Sequence, residues 1–134
     1  MAYERPTAAF VRLVGGLRAA VEKLGEADLD AILDEFMPLA EAEFAVLVGE
    51  TTFDSEDLSA RKSILAQTGV CYTLFARYLF RPQTQAATGT HAPLRMSGEE
   101  MSMLRLDYVR AANRYALLIS GGVDKVRSGL DLPV

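Results

Sequence analysis

Residues 58–82 read Leu-Ser-Ala-Arg-Lys-Ser-Ile-Leu-Ala-Gln-Thr-Gly-Val-Cys-Tyr-Thr-Leu-Phe-Ala-Arg-Tyr-Leu-Phe-Arg-Pro, the most apolar run of the chain. Leu58, Ile64, Leu65, Cys71, Tyr72, Phe75 and Leu79 recur at helical steps and form a stripe. Asp54 or Ser55 is placed to cap this helix, and the acids Glu56 and Asp57 in its first turn suit the positive end of the helix dipole. Pro82, which has no N–H to donate, ends it. A segment this apolar must be covered by other elements, so it predicts a central helix.

Working outward, the flanking segments supply the cover. Thr7 is a cap candidate for a first helix carrying Phe10, Leu13, Val14, Leu17, Val21 and Leu24 on one stripe, with Gly25 as its stop. Gly15 and Gly16 each cost about 1 kcal/mol there relative to alanine, and a close helix crossing would explain them. Asp28 caps a second helix with Leu29, Ile32, Leu33 and Phe36 inward. Pro38 predicts a kink or restart around residues 35–38, after which Leu39, Ala40, Phe44, Leu47 and Val48 resume the face as far as Gly49. Residues 81–96 form a long irregular segment, a length that usually signals function or mobility. Ser97-Gly-Glu-Glu100 is a capping box. It opens a last helix with Met101, Leu104, Tyr108, Ala111, Ala112, Tyr115, Leu118 and Ile119 inward, stopped by Gly121-Gly122.

These elements predict an all-α fold: a four-helix antiparallel bundle with a kinked second helix, a long loop before the last helix and an extended C-terminal tail. The 134 residues suit a single domain, with its core at about 7–120 and its tail at 121–134. Val123, Val126, Leu130 and Leu132 make that tail apolar enough to dock on its own domain or on a neighbour. No stretch approaches the roughly 20 uncharged residues of a membrane span. The N-terminus has neither the basic start nor the apolar run of a signal peptide, and the lone Cys71 fits a reducing compartment. A mean hydropathy of +0.12 without tryptophan favours some apolar surface covered by a partner.

Enzymatic readings find little support. His91 is the only histidine and lies in the irregular segment, far in sequence from Cys71; the pair serves as the outside candidate for a catalytic couple. Glu-x-x-His spacing is absent and a cysteine–histidine zinc set is impossible with one of each, so neither metal nor cofactor is expected. Glu41 with Glu43, and Asp34 with Glu35, point in different directions on a helix and do not share a site. The glycine pairs follow no strand and lead into no phosphate-binding pattern. Arg105, Arg110 and Arg114 lie on the outer side of the last helix, but a net charge of −4 is unlike the basic footprint of a DNA-binding domain.

The distribution of charge says more than its total. From Glu22 to Asp57 there are twelve acids against one lysine, a net of −11; from Leu58 to Arg127 there are ten bases against four acids, a net of +6. Two solvated faces would give this pattern. The sharper reading is an acidic surface of one copy docking on a basic surface of the next, a head-to-tail contact that closes into a ring or runs on as a filament.

Three stretches carry a family resemblance: Ala40-Glu-Ala-Glu-Phe-Ala-Val-Leu-Val-Gly49, then Leu65 to Arg81 with its aromatic-arginine-tyrosine end, then Tyr108 to Ser120 with Gly-Gly-Val-Asp-Lys-Val-Arg-Ser-Gly-Leu130. In order and texture they resemble the first long helix, central helix, and last helix with tail of the small helical head–tail connector (adaptor or head-completion) proteins of tailed bacteriophages and gene-transfer particles. The likeness spans roughly residues 28–132; the N-terminal helix, Pro38 and the 81–96 segment depart from the pattern.

The resemblance implies a structural protein without catalysis that forms a ring of about twelve copies on the portal. The ring would surround the DNA channel, let DNA pass without specific binding and join the portal to the tail, a stopper or the next neck ring. It implies a place in the virion neck after assembly in the host cytoplasm. The candidate inter-subunit or partner contacts are Asp30, Asp34, Glu41, Arg77, Arg81, Arg105, Arg110, Arg114, Val126, Leu130 and Leu132. The alternative is a helical bundle of non-viral function that regulates or binds a partner helix in an apolar groove.

Overall fold

The computed structural model describes residues 3–22, 26–49, 53, 59–79 and 98–120, most of them helical and with no strand among them. Five α-helices follow in order: α1 (Ala8–Leu13), α2 (Arg18–Glu22), α3 (Glu26–Val48), α4 (Ala60–Leu79) and α5 (Gly98–Ser120), with a 3₁₀ turn at Gly15–Leu17.

The central position of α4 follows from its sequence. It packs against both α3 and α5, most extensively against α5, while α3 also touches α5 and α1 rests on α3. Every residue from Val70 to Ala76 is buried, so this part of α4 is enclosed all round rather than along one stripe. Thr73, the one fully buried polar residue there, is satisfied by donating its hydroxyl to the Gly69 carbonyl at 2.9 Å. On α3 the buried set is Leu29, Ile32, Phe36, Met37, Ala40, Phe44, Leu47 and Val48, and on α5 it is Tyr108, Val109, Ala112, Ala116 and Ile119. Each large side chain hidden in this way stabilises the fold by about 1.5–3 kcal/mol relative to exposure.

The N-terminal segment differs from the single helix its periodicity suggests. Thr7 caps α1 as expected, its Oγ1 accepting from the Phe10 N–H at 3.2 Å, but α1 ends at Leu13. Val14 is extended (φ −76°, ψ 105°) and the chain turns through Gly15–Leu17 before α2 begins. The break lies where the chain crosses α4: a Cβ on Gly16 would sit 2.0 Å from the Tyr72 hydroxyl oxygen, whereas nothing lies within 4 Å of one on Gly15. Gly16 thus answers to a close crossing and Gly15 does not. The change of direction also takes Leu13, expected in the buried stripe, out to 82% exposure.

Other expectations are corrected in detail. Leu39, Ile64 and Leu118 are exposed; Ile64 and Leu118 lie off the three- and four-residue steps that connect the buried positions of their helices. No restart occurs at Pro38, since α3 runs through it. Pro38 is exposed, so the Asp34 carbonyl it leaves without an N–H partner is open to water. The described part of α4 opens at Ala60 with Ser59 capping, its Oγ accepting from the Lys62 N–H at 3.2 Å. Asp54 and Ser55 lie outside the described residues, as do the 81–97 segment and the 121–134 tail.

Gly49 ends α3 in the left-handed region (φ 101°), its N–H donating to the Ala45 carbonyl at 2.9 Å. Gly49→Ala is therefore expected to lower stability by about 1 kcal/mol, read as a lower urea midpoint at unchanged slope.

Candidate functional site

The charged residues divide into two groups. The first joins elements within the chain. Glu41 on α3 accepts from the Tyr3 hydroxyl at 2.7 Å and from the Arg5 Nε at 3.1 Å to each oxygen, and Arg5 also pairs with it through a terminal nitrogen. Tyr3 packs its ring on Phe53 (4.6 Å between centroids), which in turn meets Phe44 edge-on at 6.2 Å. Gln67 on α4 donates to the Glu4 carbonyl at 3.1 Å. Residues 3–5 are thereby tied to both α3 and α4. Burial, then the hydrogen bond to Glu41, pushes the Tyr3 phenol well above its usual range. Its own hydrogen bonds to Glu41 hold the Arg5 guanidinium more strongly protonated.

Two residues further along α3, Glu43 Oε1 lies 2.8 Å from Arg77 Nε on α4, with the Arg77 and Glu43 side chains 16% and 24% exposed. It is a close ion pair rather than an aligned hydrogen bond. Glu41 and Arg77, both candidates for contacts between copies, thus each have a partner inside the chain.

The second group is different. Asp30 and Asp34 on α3 are exposed and belong to no ion pair among the described residues; the same holds for Arg110 and Arg114 on α5. Arg105 on α5 is half-buried. Arg81, Val126, Leu130 and Leu132 lie outside the described residues.

Cys71 is fully buried, and burial raises its thiol to about 12. At neutral pH it carries its proton and is a poor nucleophile; His91 lies outside the described residues. Burial likewise raises the Tyr108 phenol to about 12. Unfolded, these groups release protons near 9 and 10, so above pH 9 the unfolded state binds fewer protons than the native one. Stability is expected to fall as pH rises from about 9 towards 12, approaching 1.4 kcal/mol per unit for each group. Urea unfolding at pH 8 to 10.5 measures the slope, and Cys71→Ala should flatten its first part.

A groove of about 390 Å³ opens beside these elements, which the charge pattern did not foretell. Phe10, Leu13 and Gly16 form one wall, and Ile64, Tyr72 and Tyr115 the other. Tyr72 stacks on Tyr115 with centroids 5.7 Å apart and planes 16° off parallel. Leu13 and Ile64 give the groove an exposed apolar rim. The glycine pair at 15–16, a break in an otherwise regular stripe, was the signal that could have located it.

Among the described residues, no group of three or more His, Cys, Asp or Glu side chains could hold a metal ion. No helix among them is long and apolar enough to cross a membrane. No protein-family model, curated protein or solved structure matches the chain.

Proposed function

We propose that this chain is a structural, non-enzymatic assembly protein: a head–tail connector of a tailed phage-like particle. In this reading about twelve copies form a ring on the portal around the DNA channel and carry the tail or the next neck ring. The fold is an antiparallel four-helix bundle bent at Pro38. DNA passes without specific binding, and the chain acts without cofactor in the virion neck.

One observation carries this reading. Asp30 and Asp34 on one helix and Arg110 and Arg114 on another are exposed and form no ion pair among the described residues, while Glu41 and Glu43 on α3 are paired with Arg5 and Arg77. Opposite charges left open on separate helices suit a head-to-tail contact between identical copies. The buried, protonated Cys71 also supports a role without catalysis.

Negative-stain electron microscopy with sedimentation tests the reading. Closed rings are expected at low ionic strength, dissociating as salt approaches 1 M, where the screening length falls to about 3 Å. A monomer at every concentration and ionic strength would count against it. The apolar groove favours a second reading, a bundle that binds a partner helix, which predicts a stable monomer whose Leu13 and Ile64 are covered on binding.

A further inference from the structure

We infer that neighbouring copies meet by antiparallel packing of α3 of one on α5 of the next, in a register that sets Asp30 against Arg114, Asp34 against Arg110 and Pro38 against Leu106. This rests on the assembly reading and gives it a direction, a register and an apolar half.

The outer faces of the two helices carry matching rows. Asp30, Asp34, Pro38 and Ala42 follow at four-residue steps on α3, and every one is exposed. Arg114, Arg110, Leu106 and Ser102 do the same on α5, running against the direction of the chain, and all are exposed. Rows of this spacing are the ridges that interdigitate in the commonest class of helix packing, with axes crossing at about −50°. A four-residue step is about 6 Å along the axis in both helices, so one alignment brings both acids to both arginines. None of these four charges has an ion-pair partner among the described residues.

Each row continues into apolar residues. Beyond Asp34 on α3 come Leu39 and Val46, 42% and 67% exposed; beyond Arg110 on α5 come Leu106 and Met103, 44% and 64% exposed. Large side chains this open, set beside charges of opposite sign on the two helices, make each face a fitting cover for the other.

The apolar residues also choose the direction. A parallel alignment would likewise pair the charges, because Leu118 stands as far beyond Arg114 as Leu106 stands before Arg110. It would, however, carry Val46 beyond Ser120, the last residue of α5, and set Met103 ahead of Glu26, the first of α3. The antiparallel alignment lays Leu39 and Ala42 along Leu106 and Met103, and so removes more apolar surface from water. It also brings the positive N-terminal end of α3 beside the negative C-terminal end of α5.

Charge exchange within one chain tests the register, read by sedimentation and negative-stain microscopy at low ionic strength. Asp34→Lys with Arg110→Glu keeps opposite signs together at both steps of the antiparallel register, and rings of the parental mass are expected. Asp34→Lys with Arg114→Glu opposes like charges at both steps, and should weaken assembly at least tenfold, to about the level of Asp34→Lys alone. As a second readout, a short bis-maleimide should join Ala42→Cys to Ser102→Cys between copies and give a covalent ladder, whereas Pro38→Cys with Leu118→Cys should give none; all four sites are exposed, and the buried Cys71 does not compete. Parental rings together with the reverse pattern, with the two exchanges behaving alike, or with no link between residues 42 and 102, would overturn the register and leave assembly standing. A parent that forms no ring under any condition would remove the assembly reading and this inference with it.

Discussion

Phe44→Ala is expected to lower stability by about 3–5 kcal/mol, the usual cost of emptying a fully buried aromatic site. Phe44 projects from α3 onto α4 at Gly69, where a Cβ would fall 2.2 Å from the tip of its ring. Gly69→Ala is therefore also expected to destabilise, by roughly 1–2 kcal/mol, although alanine is the better helix former by about 1 kcal/mol. Phe44 is fully buried and has no free space into which to swing. The informative variant is the pair: once Phe44 is shortened to leucine, Gly69→Ala should become neutral or stabilising, a coupling read from urea midpoints in a double-mutant cycle. Strictly additive effects would mean that α3 and α4 do not cross at these residues.

Arg77→Met is expected to cost roughly 2–4 kcal/mol, because it takes the cation away from the Glu43 carboxylate at a mostly buried helix junction. The figure sits below that for fully buried pairs, since both side chains retain some water. Glu43→Gln should cost comparably, by leaving a guanidinium without its charge partner. Combining Arg77→Met with Glu43→Leu removes both charges and should recover most of the loss, as apolar replacement of a whole buried pair often does. Thermal unfolding of the four proteins distinguishes this from a surface pair, for which every value would stay within about 1 kcal/mol. The pair locks α3 to α4 and leaves neither Glu43 nor Arg77 free to serve a neighbour.

The core was legible where apolar residues recur at helical steps without interruption. Phe36, Phe44, Cys71, Tyr72, Phe75 and Tyr108 fall where the pattern puts them, and the Thr7 cap and the Gly49 stop follow from local chemistry. Tyr108 and Tyr115, expected on the inner face of the last helix, pack against Tyr72. Legibility failed where a tertiary contact overrides periodicity. Leu13 belongs to a helical stripe that only Gly15-Gly16 interrupt in sequence, but the approach of Tyr72 to Gly16 breaks the helix and turns Leu13 outward. The N-terminal partners of Glu41 were equally hidden, since Tyr3 and Arg5 are 38 and 36 residues away in the chain. Charge segregation read from sequence could not say which acids and bases neutralise one another; Arg5–Glu41 and Arg77–Glu43 do, whereas Asp30, Asp34, Arg110 and Arg114 form no ion pair among the described residues.

Those four residues permit the most direct test of assembly. One variant carries Asp30→Lys with Asp34→Lys, the other Arg110→Glu with Arg114→Glu; each then presents a single sign on both surfaces. All four sites are exposed, so both variants should fold as the parent does. Analytical ultracentrifugation at low ionic strength is expected to find each variant monomeric alone and an equimolar mixture restored to the ring mass of the parent, through alternation of the two kinds of subunit. Variants that still assemble separately, or a mixture that stays monomeric while the parent forms rings, would contradict head-to-tail closure through these charges.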